Sequence, residues 1–375
     1  MPVPLLDLKA QHATIRDEVV TAMLKVVDAQ TFILGDAVAD LEREVARLSH
    51  ARFAIGCANG TDAILLAMRA LDIGRGDEVI TTPFTFFATA GTIHNVGATP
   101  VFVDIEPKTY NIRPDAAAAA RTSKTKAVIP VDLFGQMSPV EEVALAMPGL
   151  PVIEDAAQSI GARRSIDGEW RMAGEIPTIG TFSFFPSKNL GGYGDGGMIT
   201  TQDPAIAERL KRLRVHGGAK QYYHDEVGYN SRLDALQAAV LSAKLPHLAA
   251  WSAKRRENAA YYDTAFATLA ESGALTTPYV APENESIFNQ YTLRIADGRR
   301  DALQAFLKER GIGTSIYYPL PLHLQPCFAY LGYKEGQLPE SERASKEVLS
   351  IPIFPELTRQ QLDEVVSGVH AFFAK

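Results

Sequence analysis

Cysteine is nearly absent from this 375-residue chain: Cys57 and Cys327 stand alone, without a CxxC spacing. Two such thiols give neither a disulfide framework nor a zinc site. The eight histidines include no HExxH, so metal catalysis has no support and no metal ligands are expected. Long apolar runs are missing too, since nothing approaches the ~20 residues that span a bilayer. The opening Met1-Pro2-Val3-Pro4-Leu5-Leu6-Asp7 lacks the charged and apolar regions of a signal peptide, and a cytoplasmic protein is expected. There is no basic excess, as the formal net charge is -7, which argues against nucleic acid as a partner. The local clusters Lys211, Arg212, Arg214 and Lys254, Arg255, Arg256 fall on helical patterns and read as solvated faces.

What is present is ordinary for a globular protein, with 46% hydrophobic and 22% charged residues. The length suggests about two domains. Ala10 to roughly Val27 and Asp36 to Leu48 read as amphipathic helices from their apolar spacing. Short apolar runs then alternate with helices. Phe53–Cys57, Glu78–Thr81, Pro100–Val103, Lys126–Val131 and Pro151–Glu154 read as strands, with helices opening at Thr61, Phe86 and Pro139. Such alternation predicts an α/β domain whose mostly parallel central sheet is covered by helices. A long helical pattern from Leu233 to about Ala267 breaks near Pro246. Ser272 to Asn289 reads as a connector. A smaller α+β region follows, with a strand at Tyr291–Ile295, a helix from Arg299 to Arg310, a strand near Thr314–Tyr317 and a last helix from Thr358. The expected division is residues 1–245 and 246–375.

Ligands of such sheets sit beyond the carboxyl ends of the strands, and several chemistry-bearing residues fall there. Asn59-Gly60-Thr61 lies between a strand and a helix start; it could cradle a phosphate on backbone N–H groups or simply cap the helix. Ser183 could add a hydroxyl. Asp155 follows an apolar strand and could pair with a ring nitrogen or cap the strand end. Gln158 could reach a ring hydroxyl or merely pack. An aromatic of the Pro83–Thr89 stretch could stack on a flat heterocycle or belong to the core. Lys188 follows Pro186 and precedes Gly191, Gly192, Gly194, Gly196 and Gly197, where glycines let backbone approach something closely. A lysine held unprotonated forms Schiff bases with carbonyls, whereas most loop lysines are only solvated. Together these are the parts that pyridoxal 5'-phosphate (PLP) needs for its phosphate, ring face, pyridine nitrogen and aldehyde.

The chain resembles the DegT/StrS group of PLP-dependent nucleotide-sugar aminotransferases, which have the aspartate aminotransferase fold (type I). The likeness is carried in order by Asn59-Gly60-Thr61, Pro83-Phe84-Thr85-Phe86, Glu154 to Ser159, Ser183 to Lys188 and Gly228-Tyr229-Asn230-Ser231-Arg232. The resemblance implies that Lys188 binds the cofactor and shuttles a proton, and that Asp155 keeps the pyridine nitrogen protonated. It further implies that Gln158 contacts the ring hydroxyl, Phe86 stacks on the ring, and Gly60, Thr61 and Ser183 bind phosphate. Asn230 would reach the phosphate of a neighbouring subunit, giving a homodimer with composite sites. Glutamate would donate the amino group to a keto sugar on a nucleotide, with pyridoxamine 5'-phosphate as the intermediate. The run Ile316 to Pro326 resembles members acting at C3 of the sugar, which would put Tyr317, Tyr318 and His323 at the site mouth, with Arg232 a candidate for an oxyanion. The alternative is a C4-specific aminotransferase. A sugar dehydratase would have histidine in place of Lys188, and a non-enzymatic regulator would have no need of the Lys188, Asp155 and Gln158 set.

Overall fold

The computed structural model describes residues 2–374. Helix α1 (Leu8–Ala29) starts at Asp7, whose carboxylate accepts from the Lys9 and Ala10 N–H groups at 3.0 Å each and so satisfies two orphan donors. Helix α2 (Asp36–Leu48) buries the stripe Val38, Leu41 and Val45. The expected alternation follows: β1 (Phe53–Cys57), α3 (Gly60–Ala70), β2 (Glu78–Thr81), α4 (Phe87–Asn95), β3 (Thr99–Phe102), α5 (Pro114–Ala119), β4 (Thr125–Ile129), α6 (Val140–Ala146) and β5 (Ile153–Asp155). Next come a hairpin of β6 (Arg163–Ile166) and β7 (Glu169–Met172), then β8 (Ile179–Ser183), β9 (Gly197–Thr201) and α7 (Pro204–Leu213).

Apart from the β6–β7 hairpin, these strands form one sheet in the order β3-β2-β4-β5-β8-β9-β1, with β4 and β5 joined through the parallel bridges Val128–Val152 and Val131–Asp155. Only β9 runs against its neighbours. Helices cover the sheet, and its inner residues, such as Ile55, Val79, Ile129, Ile153, Ile179 and Ile199, pack into a core with α3 and α7. Burial on both faces is what near-continuous apolar strands require.

Pro246 divides the long helical pattern as expected, into α8 (Ala235–Lys244) and α9 (Leu248–Ala265), joined by a single 3₁₀ turn. Beyond the short α10 (Ala267–Glu271) the chain builds β10 (Leu275–Thr276), β11 (Asn284–Glu285), β12 (Tyr291–Ile295), α11 (Arg300–Glu309), α12 (Pro339–Glu347), β13 (Val348–Ile351) and α13 (Arg359–Phe373). A separate antiparallel sheet, β10-β12-β13, packs with α9, α11 and α13 around Tyr262, Phe266, Leu293, Leu303 and Val369. Val3 is buried in this core and bridges to Ile312, so the start of the chain packs with its end. Among the described residues no helix is long and apolar enough to cross a membrane.

The structure corrects the sequence reading in several places, the unanticipated strand β9 among them. The connector 272–289 holds β10 and β11. The stretch near Thr314–Tyr317 is no strand and makes only the bridge Ser315–Ser350, because Pro319 and Pro321 follow and remove ladder donors. The element α12–β13 was not anticipated. Nor was the hairpin β6–β7, whose turn Asp167-Gly168 has positive φ at both residues, the type I′ dipeptide that joins two strands tightly.

Candidate active site

The site is assembled where β1, β5 and β8 end. Asn59 caps α3, its side chain accepting from the Asp62 N–H at 2.8 Å. The cap and the cradle are therefore compatible, since the N–H groups of Gly60 and Thr61 have no acceptor among the described residues. They face forward at the positive end of an 11-residue helix. Gly60 is required sterically: a Cβ there would stand 2.6 Å from the Ser183 Cβ. That approach sets the half-buried Ser183 hydroxyl beside the turn. Gly197, at the start of β9, likewise lies against the Asn59 carbonyl, leaving no room for a side chain.

Asp155 ends β5 with 5% of its surface exposed. Its Oδ2 accepts from Thr89 Oγ1 at 2.7 Å, and Thr89 in turn lies 3.0 Å from Thr85 Oγ1. Its Oδ1 accepts from the Ala157 N–H at 3.3 Å. Burial pushes the Asp155 carboxyl above its ordinary pKa, against Thr89, Ala157 and the charge of Lys188. For Lys188, burial brings the amine down to about 8, opposed by Asp155. The Lys188 amine is thus still mostly protonated near pH 7, but a far larger share of it is neutral than in an ordinary lysine. Gln158 is buried; its Oε1 accepts from the Phe134 N–H at 2.7 Å and its Nε2 donates to Tyr318 Oη at 3.3 Å. Phe86, 57% exposed, lies 6.3 Å from the Tyr318 ring, which is 6.2 Å from Phe84. These three rings form an aromatic wall.

Lys188 sits in a turn in which its own N–H bonds Phe185 O at 2.8 Å and Gly192 N–H bonds Phe184 O at 2.8 Å. Asn189 is pinned from the far side, donating to Ile287 O at 3.0 Å and accepting from Asn289 Nδ2 at 2.7 Å. The glycines approach protein, which refines the expectation for this loop. Gly191 lies against the Pro186 carbonyl, and Cβ atoms at Gly192 and Gly194 would each stand 2.8 Å from the Gln237 side chain on α8.

The remaining candidates are less closely joined. Tyr318 reaches the centre of the site through Gln158, and Tyr317 is half-buried beside it, the two rings 5.8 Å apart. His323 is 2% exposed, with Nε2 3.1 Å from Glu342 Oε1, and so does not open onto the mouth as expected. Arg232 is half-buried with no hydrogen-bond or ion-pair partner among the described residues. Asn230 is exposed in a bridge to Val215, while the adjacent Ser231 accepts from the Ala58 N–H at 3.3 Å beside the Gly60 turn. The sequence reading missed Thr89, the direct partner of Asp155. Its spacing of one helical turn from Thr85 is the only signal that could have found it.

Comparison with known proteins places this arrangement. The model of the DegT/DnrJ/EryC1/StrS aminotransferase family matches residues 13–370. The chain belongs to this family. It is 53% identical over 375 residues to a pleiotropic regulatory protein of Geobacillus stearothermophilus, covering 100% of this chain and 99% of the relative. It is 45% identical to the UDP-N-acetyl-3-dehydro-alpha-D-glucosamine 3-aminotransferase of Acidithiobacillus ferrooxidans, over 98% of this chain and 97% of that one. The crystal structure of Streptomyces venezuelae DesV, in complex with a ketimine intermediate, superposes with a TM-score of 0.95 at 38% identity, covering 100% and 99% of the two chains.

As a member of the DegT/DnrJ/EryC1/StrS family the protein is a PLP-dependent aminotransferase, and its residues fit the cofactor. The two unpartnered N–H groups at Gly60 and Thr61 suit a phosphate, and a Cβ at Gly60 would fill the cradle. A lysine with a lowered pKa and a buried carboxylate lie in the same site.

Proposed function

We propose that this enzyme moves the amino group of glutamate to a keto sugar carried on a nucleotide, at C3 of the sugar, during deoxyamino-sugar synthesis in the cytoplasm. The observation that carries the chemistry is the joint placement of Lys188, Asp155 and the open N–H groups of Gly60 and Thr61. The C3 choice is supported by the Acidithiobacillus relative, which is named for a 3-keto sugar. The Geobacillus relative carries a regulatory name, but a regulator has no use for a lysine tuned in this way.

PLP bound here supplies an aldehyde that takes up the amino group and a ring that accepts electron density from the substrate carbon. Gly60, Thr61 and Ser183 would hold its phosphate, and Phe86 would stack on its ring. Gln158 would reach the ring hydroxyl. Asp155 is charged when it faces a protonated ring nitrogen, and Thr89 keeps its carboxylate oriented. Lys188 Nζ would anchor the cofactor and would carry the proton that the substrate carbon gives up in the transfer. Arg232 pairs with an oxyanion of the substrate, and Tyr317 and Tyr318 shape the sugar side.

Two copies assemble in this reading, with Asn230 reaching the phosphate in the other subunit. An exposed apolar strip supports a dimer: Leu24, Val27, Phe32 and Ile33 are 52%, 39%, 39% and 49% exposed. Borohydride reduction of the PLP-loaded protein followed by peptide mapping is expected to leave a pyridoxyl label on Lys188; a label elsewhere sinks the assignment. Glutamate should release 2-oxoglutarate, and a panel of 3-keto and 4-keto nucleotide sugars should yield aminated product from the 3-keto members. Product from the 4-keto members alone overturns the C3 reading.

A further inference from the structure

We infer that Lys244, on α8, is a positioning residue for Lys188, fixing the glycine loop that follows the catalytic lysine. The inference rests on the assignment of Lys188 above. Lys244 is 2% exposed, and its ammonium donates to the Gly191 carbonyl at 2.7 Å. It also lies 4.7 Å from the centre of the Tyr193 ring, a cation–π contact. No carboxylate bonds it directly among the described residues, and Glu356 acts on it only through space. A buried charge without a direct ion pair is costly, and burial draws the amine down to about 8 against the charge of Glu356. A methionine would fill the same space without that cost, so packing alone does not explain a lysine here.

The geometry explains it. Between Lys188 and Gly191 stand only Asn189, pinned to Ile287 O and Asn289, and Leu190, fully buried. Gly191 folds back onto the Pro186 carbonyl. Residues 186–191 therefore form a closed turn with Lys188 at its centre, and the Gly191 carbonyl is the point where α8 takes hold of it. Gln237 lies seven residues before Lys244, two turns up the same face of α8. Its Oε1 accepts from the Tyr193 N–H at 2.8 Å. Side chains two turns apart on one rigid helix thus hold both ends of the segment 191–193. His12 Nδ1, 2.5 Å from Tyr193 Oη, closes the far side. A small shift of a reacting group can cost about 10²-fold in rate, which is the scale on which such a clamp acts.

The test uses the full-length, PLP-loaded protein as Lys244→Met and Gln237→Leu, singly and together, with visible circular dichroism of the bound cofactor, cofactor affinity, kcat and KM as readouts. Wild-type protein labelled on Lys188 by borohydride is the control for the underlying assignment, and its failure would be seen before any variant is read. Lys244→Met should lower kcat by about 10- to 100-fold, leave KM within about twofold and change the cofactor dichroism. Gln237→Leu should show the same pattern more weakly. The double variant should lose less than the product of the two, because both grip one loop. Wild-type kcat and dichroism in Lys244→Met overturn the inference, as does a loss that merely tracks the fraction of protein folded and loaded. Should Lys244→Met not fold, Gln237→Leu decides alone, and unchanged kcat and dichroism in that variant overturn the inference equally.

Discussion

The two halves of the site are built differently. On the cofactor side, Asp155 ends a central strand and is held by Thr89 and the Ala157 N–H. Lys188 sits in a turn gripped by residues from 184 to 289. On the proposed substrate side, Arg232 has no partner among the described residues, and Tyr317 and Tyr318 lie on an irregular run. The first half is organised before any ligand arrives, as electrostatic catalysis requires. The second carries its groups on loops, where specificity can vary without disturbing the sheet. The chemistry belongs to the fold, and the choice of sugar to what is attached to it.

The largest effect expected tests the organised half. Lys188→Ala removes the proton carrier and the anchor together, so turnover should fall by at least about 10²–10⁴-fold, the range of a positioned acid–base group. Glutamate-to-sugar transfer followed by product mass provides the measurement. Turnover within tenfold of wild type would break the contrast, since the cofactor half would then not depend on its best-placed residue.

Next in size is a pH effect. Attack on the cofactor aldehyde needs a neutral amine, and the Lys188 pKa is drawn down from 10.5 to about 8. Capture of PLP by the apo protein should therefore accelerate about tenfold per pH unit below 8 and level off above it. Stopped-flow absorbance reads this directly. A rate still climbing at pH 10 would mean an ordinary lysine. The same shift has a sign for stability: the unfolded chain binds the extra proton between pH 8 and 10.5, so this group makes the apo fold more stable as pH rises through that window.

How much of this was legible in the sequence follows the same division. Apolar runs and helical spacing located β1, β2, β5, α2 and α13, because their burial is set by local pattern; for α13 the Thr358–Gln361 capping box marks the start as well. Asp155 and Lys188 were visible because each follows a buried strand. The antiparallel strand β9 was hidden under glycine and threonine, which carry little periodic signal, and it is specified by contacts with β1 and β8 far away in sequence. The roles of Gln237 and Lys244 were hidden for a similar reason. On a helical pattern they read as ordinary polar positions, and only the folded chain brings the glycine loop against them. The sugar side was the least legible, since irregular backbone obeys no period.

Arg232 probes the looser half. Its guanidinium has spare donors and no partner to release, so Arg232→Ala should raise KM for the nucleotide sugar by about tenfold, the worth of one charge-assisted hydrogen bond. KM for glutamate and kcat should stay within about twofold. Steady-state kinetics with each substrate varied separately checks this. A fall in kcat with KM unchanged would instead assign Arg232 to the reacting centre and blur the division.

The smallest catalytic effect is expected at His323. Burial lowers its pKa despite Glu342, so the ring is neutral near pH 7 and its Nε2 faces the carboxylate at 3.1 Å. Its Nδ1 is buried without a partner. Glu342 also accepts from the Gly336 and Leu338 N–H groups, so this pair ties the 336–342 segment to the run carrying Tyr317 and Tyr318. That is the geometry of a strut. His323→Phe should cost about 1–3 kcal/mol of stability, the cost of stranding a buried acceptor, read by denaturant unfolding, while kcat and both KM values stay within about twofold. The opposite pattern, with stability intact and kcat/KM for the sugar reduced more than tenfold, would mean that the side chain leaves Glu342 when substrate binds. The substrate half would then be organised by its ligand, and the unpartnered Nδ1 would be the atom waiting for it.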